Sequence, residues 1–157
     1  MRVKLLSVLW LVCLAGQVLS PRAAAQDDVA VVVNAANPVA SLSLIELRKL
    51  FSGEKRFWPG NIPVRLIVRA PGCRERTALL KLLNLSESDY KQYWTAQVFR
   101  GQADSEPFVA PSVGMSIEAV KSFPGAITLI NANDTKPGVK IVKVAGLLPG
   151  AAGYPLH

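Results

Sequence analysis

Residues 29–33 read Val-Ala-Val-Val-Val, a run with no polar interruption. A strand with one wet face alternates apolar and polar residues, so a continuous run of this kind suits a strand covered on both faces. Covering a sheet twice requires helices, and the sequence supplies them. Ser43 begins a Ser-Leu-Ile-Glu capping box in which Glu46 reaches back to the Ser43 amide. Leu44, Leu47, Leu50 and Phe51 follow at helical spacing, and Ser52-Gly53 ends that helix. Trp58-Pro59-Gly60-Asn61 forms a turn before a second strand over residues 62–69, with Val64, Leu66 and Val68 on one face. A helix over about residues 73–83 carries Leu79, Leu80, Leu82 and Leu83. Ser86 opens another, whose Tyr90, Tyr93, Trp94 and Val98 form a core-facing stripe. Residues 101–111 read as a polar loop. A further helix bears Val113, Ile117, Val120 and Phe123 until Pro124-Gly125 stops it. Residues 126–130 and 139–144 are two more strands, and residues 148–155 an extended closing segment. Strands alternating with helices predict an α/β fold with a mixed, mostly parallel sheet flanked by helices.

The amino-terminal residues set an expected compartment. Arg2 and Lys4 precede an apolar run over residues 5–19, and Ala23, Ala24 and Ala25 offer a small-residue cleavage site before Gln26. Spanning a bilayer takes about 20 apolar residues, and this run is shorter. Residues 1–25 therefore read as a cleaved signal peptide, and residues 26–157 as one domain that is periplasmic or secreted and does not span the membrane. Cys13 lies inside the apolar run, away from the cut, which argues against a lipoprotein.

Removing residues 1–25 leaves 132 of the 157 residues, enough for one core. Arg2, Lys4 and Arg22 leave too, so the formal charge of +7 falls to about +4. With bases spread over several segments and export expected, nucleic acid is not the expected partner. Cys73 is the one cysteine left, so no intramolecular disulfide forms, and the only histidine is His157. Metal sites built from several Cys and His ligands are excluded, and no cofactor is implied.

One segment carries the chemistry of a site. A strand ending at Arg69, a Pro71-Gly72 turn and a helix starting near Cys73 place unpaired backbone N–H groups and the positive end of a helix dipole together. Gly72 lets an anion approach that backbone, Arg69, Arg74 and Arg76 add charge, and Thr77 adds a hydroxyl. Ligands of open α/β sheets collect at such carboxyl ends of strands. The alternative is that Glu75 simply pairs with the arginines. Cys73 beside Arg74 is a candidate reactive thiol, yet no general base accompanies it, so it reads as a small polar residue in a non-enzymatic domain. Arg48, Lys49, Lys55 and Arg56 read as a solvated helix end, and Glu87 and Asp89 as first-turn helix acids.

Several segments in order carry a family resemblance: LIELRKLFSG at 44–53, WPG at 58–60, IPVRLIVR at 62–69 with Gly72, then Tyr93-Trp94, FRG at 99–101 and FPGAI at 123–127. Over most of residues 29–145 the chain resembles the phosphate-type substrate-binding proteins of bacterial ABC importers. The resemblance implies the type II periplasmic binding fold, in which two α/β lobes close on an oxyanion. The family's phosphate loop reads Arg followed by Gly-Ser-Gly-Thr. By that resemblance Arg69 matches the Arg, Gly72 the first Gly and Cys73 the Ser, while Arg74 and Glu75 stand in place of Gly-Thr. Thr128-Leu129 likewise stands where the family has Gly-Tyr. The length corresponds to little more than one lobe, as in short single-domain members. Two functions follow as expectations: a non-enzymatic module binding a phosphate-like oxyanion at Arg69, Gly72, Cys73, Arg74, Arg76 and Thr77, or an envelope protein-interaction domain that kept the fold and lost the ligand.

Overall fold

The first strand, β1 (Val29–Asn34), is wholly buried, and its side chains divide between two cores. Val29, Val31 and Val33 pack with residues of α1 (Leu44–Phe51), α2 (Arg74–Leu83) and α3 (Glu87–Phe99). Ala30 and Val32 pack on the other face with Ile117 and Val120 of α4 (Val113–Ser122). Each buried valine contributes about 1.5–3 kcal/mol through removal of apolar surface from water, which is why the run has no polar member. A computed structural model describes residues 28–157, so the expected signal peptide at 1–25 lies outside the described residues.

The main sheet has six strands. With β2 (Ser41–Leu42), β5 (Arg65–Arg69), β6 (Phe108–Ala110), β7 (Ala126–Asn131) and β8 (Val139–Val144), its order is β2-β8-β1-β7-β5-β6. β2 pairs parallel with β8, and β5 pairs parallel with both β6 and β7. β1 alone runs against its neighbours, opposite β7 from Val29↔Asn131 and opposite β8 from Val31↔Val142. The expected mixed, mostly parallel sheet is therefore what forms, with three helices on one face and one on the other. β3 (Phe57–Trp58) and β4 (Ile62–Pro63) make a separate hairpin.

Helix starts follow the sequence closely. Ser43 and Glu46 form the capping box of α1, and Ser86 with Asp89 forms another at α3. Ser112 accepts the Met115 amide at α4. Such caps are worth about 1 kcal/mol each.

Four expectations are corrected. The strand expected over 62–69 is split, because the Val64 amide donates to the Arg56 carbonyl of the hairpin while the Arg65 amide donates to Gly125 beside β7. Residues 101–111 are not all loop: β6 lies between Pro107 and Pro111 on the free edge of β5. β2, only two residues long, was not expected at all. Phe123 leaves the core, since Pro124 biases the residue before it towards extended backbone and Phe123 has φ −122° and ψ 118° with 48% of its surface exposed. The closing segment does close the fold. Leu156 accepts the Val29 amide, and the buried Tyr154 hydroxyl donates to the Val29 carbonyl at 2.9 Å.

Candidate functional site

β5, β6 and β7 end together at one side of the sheet, and the β5–α2 turn rises from there. Arg69 is the last residue of β5, and its Nη1 donates to the carbonyl of Ala110, the last of β6, at 3.0 Å. Its Nε lies 3.9 Å from a Glu75 carboxylate oxygen and, buried, has no hydrogen-bond acceptor among the described residues. That same Glu75 oxygen accepts the amide of Asn131, the last residue of β7, at 3.3 Å. Arg69 and Glu75 thus tie the three strand ends beneath the loop.

Gly72 turns the chain with φ +90°, a conformation costly for other residues, and a methyl group built there would meet nothing within 4 Å. The backbone at this turn is therefore open. Cys73 is the N-cap of α2, yet it makes no side-chain cap: its thiol donates to the Ala70 carbonyl at 2.9 Å. Of the four described α-helices, α2 is the one whose first amides receive no side-chain acceptor from the N-cap. These amides and the helix dipole make an anion-attracting terminus.

The remaining residues diverge. Arg74 is exposed at the first helical position. Thr77 is exposed, but its hydroxyl donates back to the Cys73 carbonyl at 3.2 Å. Arg76 turns inward, 5% exposed, and forks onto Glu87 of α3 through Nε at 3.0 Å and Nη2 at 2.5 Å. Its guanidinium carbon also lies 4.0 Å from the centre of the Tyr90 ring. Burial pulls the Arg76 pKa down, but the Glu87 hydrogen bond and the neighbouring charges outweigh it and the net shift is upward. The same hydrogen bond holds the Glu87 carboxyl below the usual range. Burial pushes the Tyr90 hydroxyl up to about 12. The structure thus brings Arg69, Gly72, Cys73 and Arg74 to one loop and sends Arg76 to a bridge between two helices.

Reasoning from sequence overlooked Ala110 and Asn131, whose backbone groups anchor Arg69 and Glu75. The Ala110 anchor follows from β6, whose three residues are too few to show a period. The inward turn of Glu75 and Arg76 had a readable signal: Glu75 lies four and seven positions before Leu79 and Leu82, on the buried face.

Among the described residues, no helix is long and apolar enough to cross a membrane, and no three His, Cys, Asp or Glu gather as a metal site. A family model described as a PBP superfamily domain matches residues 15–154. No curated protein sequence is significantly similar. Solved structures are. An ABC-type phosphate transport receptor from Vibrio cholerae superposes with a TM-score of 0.63 at 20% identity, over 78% of this chain and 48% of that one. PstS from Borrelia burgdorferi gives 0.58 at 16% identity, over 78% and 49%. A phosphate binding protein from Stenotrophomonas maltophilia gives 0.52 at 18%, over 78% and 40%. At these identities the likeness is one of fold, and the chain spans less than half the length of each of these proteins.

Proposed function

Because the chain belongs to the family of PBP superfamily domains, we propose that it is an exported, non-enzymatic solute-binding module that holds a small phosphate-like oxyanion at the β5–α2 loop. The start of α2 carries this reading: Cys73 gives its amides no side-chain cap, the backbone at Gly72 is open, and Arg69 ends the strand that leads into the same turn. Arg69 and the backbone are the principal ligands, Cys73 and Arg74 line the entrance, and Thr77 sits at its margin. Arg76 supports from behind by fixing α2 against α3. The names of two of the similar structures, a phosphate transport receptor and a phosphate binding protein, support an oxyanion as the ligand class, and the signal-like residues 1–25 support a periplasmic or secreted location.

At this loop alone an anion is held on an open face, so the affinity of the residues described is expected to be modest. Thermal denaturation with phosphate, sulfate and small carboxylates tests it. Ligand at 100 times its Kd adds about 2.7 kcal/mol, a shift of roughly 10 °C for a domain of this size. No shift with any anion, or an undiminished shift in Arg69→Ala, overturns the small-ligand reading.

A second reading has its own support. Glu75, 6% exposed, places a carboxylate under the loop beside Arg69, and this opposes a bound anion. A domain that kept the fold for an envelope protein partner explains that residue, and defined self-association in size-exclusion chromatography without any anion effect would favour it.

A further inference from the structure

A cavity of about 670 Å³ lies at the other end of β5 from the loop just described. Arg65, Leu66 and Ile67 of β5 line it, and at about 3.3 Å per residue Arg65 is some 13 Å along the strand from Arg69. The gap exists because β6 begins only at Phe108, opposite Ile67, so the residues before it peel away from the start of β5.

Phe57, Phe108 and Phe123 line the cavity while remaining 51%, 51% and 48% exposed, and Trp94 borders it from α3. Single exposed apolar residues are ordinary, but three of the chain's five phenylalanines around one cavity form a patch with a purpose. The volume falls within the range of small-molecule pockets, which join apolar walls to a few polar groups. Here the polar groups are three cations, Lys55, Arg56 and Arg65, two acids, Asp104 and Glu106, and the neutral Gln102 and Ser105. Arg56 and Arg65 have no carboxylate partner among the described residues, and the Arg65 guanidinium lies 5.7 Å from the Phe123 ring centre. Lys55 is held by Glu46 at 3.7 Å. On the facing loop, Glu106 accepts the Thr95 hydroxyl at 3.1 Å, and Asp104 is the remaining acid.

The geometry points to a second binding site, for an organic anion with an aromatic or aliphatic body. The phenylalanines receive the body, and the Arg65 guanidinium, backed by the Phe123 ring, with Arg56 beside it, receives the carboxylate or sulfonate. Inorganic phosphate has no apolar body to use these walls, so the two ends of β5 select different anions.

The test uses chain lacking residues 1–25 and the fluorescent anion anilinonaphthalene sulfonate, with the neutral N-phenylnaphthylamine as comparator. Native near-UV circular dichroism is recorded for every variant, because the sulfonate probe also binds loosely packed states. Saturable binding of the sulfonate is expected, competed by decanoate and not by phosphate. Phe123→Ala and Arg65→Gln, both at exposed positions, are each expected to weaken it about tenfold, and Arg65→Lys less. The neutral probe is expected to bind more weakly and to ignore Arg65→Gln. Absence of saturable binding overturns the proposal, as does equal affinity for both probes, displacement by phosphate, or indifference to both substitutions. Should Phe123→Ala lose its native spectrum, Phe108→Ala and Arg65→Gln decide the matter alone. Failure here leaves the phosphate titration at the β5–α2 loop unaffected.

Discussion

Glu87→Gln is expected to destabilise the domain more than Arg76→Met, although Glu87 is the exposed member of the pair. Side-chain exposure is 5% for Arg76 and 44% for Glu87. Replacing Arg76 by Met keeps much of the apolar stem's packing and lets Glu87 take water instead. That variant loses two charge-assisted hydrogen bonds and the contact with the Tyr90 ring, together about 3 kcal/mol, and regains part through relief of the buried charge, for a net of about 1–2 kcal/mol. Replacing Glu87 by Gln instead leaves the guanidinium buried, with Nη1 already lacking an acceptor among the described residues. Its net cost is about 2–3 kcal/mol, or roughly 10 °C in Tm. The pH dependence follows from the depressed Glu87 carboxyl. A group whose folded pKa lies below its unfolded value stabilises above the unfolded value and ceases to do so as pH falls through the folded one. The gap between wild type and Glu87→Gln should therefore be full at neutral pH and close in acid, below the ordinary glutamate range. Urea unfolding followed by circular dichroism at both pH values measures it, and the double variant gives the coupling. A larger loss in Arg76→Met, or a gap that persists in acid, refutes the account. Arg76→Met should also leave the anion-induced Tm shift intact, since Arg76 faces α3 and not the loop.

Two further outcomes follow from the same geometry. Glu75→Gln should raise phosphate affinity about tenfold by removing a like charge beside Arg69, while the amide oxygen still accepts the Asn131 N–H; isothermal titration showing unchanged or weaker binding would reject this. Gly125→Ala should cost about 3 kcal/mol or more, because the new Cβ would stand 1.8 Å from the Pro63 carbonyl oxygen, a backbone atom with no rotamer to move; a variant with wild-type midpoint in urea would contradict it.

Much of the architecture was legible because local signals and burial agreed. The valine run, the Ser43 and Ser86 boxes and the leucines of α2 each encode one element by themselves, and each formed where expected. What escaped depends on partners far along the chain. Ser41 and Leu42 are a strand only because Lys143 and Val144 lie beside them, and Phe108 to Ala110 only because β5 offers an edge. The antiparallel setting of β1 is similarly invisible in a run of valines. At the candidate loop, the residue types were readable but their directions were not. Arg69 and Arg76 are both arginines of one basic cluster, yet one meets the ends of strands and the other a glutamate on the next helix. Helical phase places Arg76 on the inward face once Leu79 is known to be buried, whereas Arg69 belongs to β5 and has no helical phase to read.

The place of β1 also sets a schedule. Its hydrogen-bond partners lie in β7 and β8, and its first residue is fastened by Tyr154, 125 residues later. During synthesis at roughly 5–20 residues per second, the most apolar strand of the described chain waits about 6–25 s for the segment that completes its surroundings. The central layer thus cannot be finished until nearly the whole chain has emerged. Under the proposed export such a delay would be useful, because a sheet that is still unmade does not have to be unfolded for the chain to be threaded through a membrane.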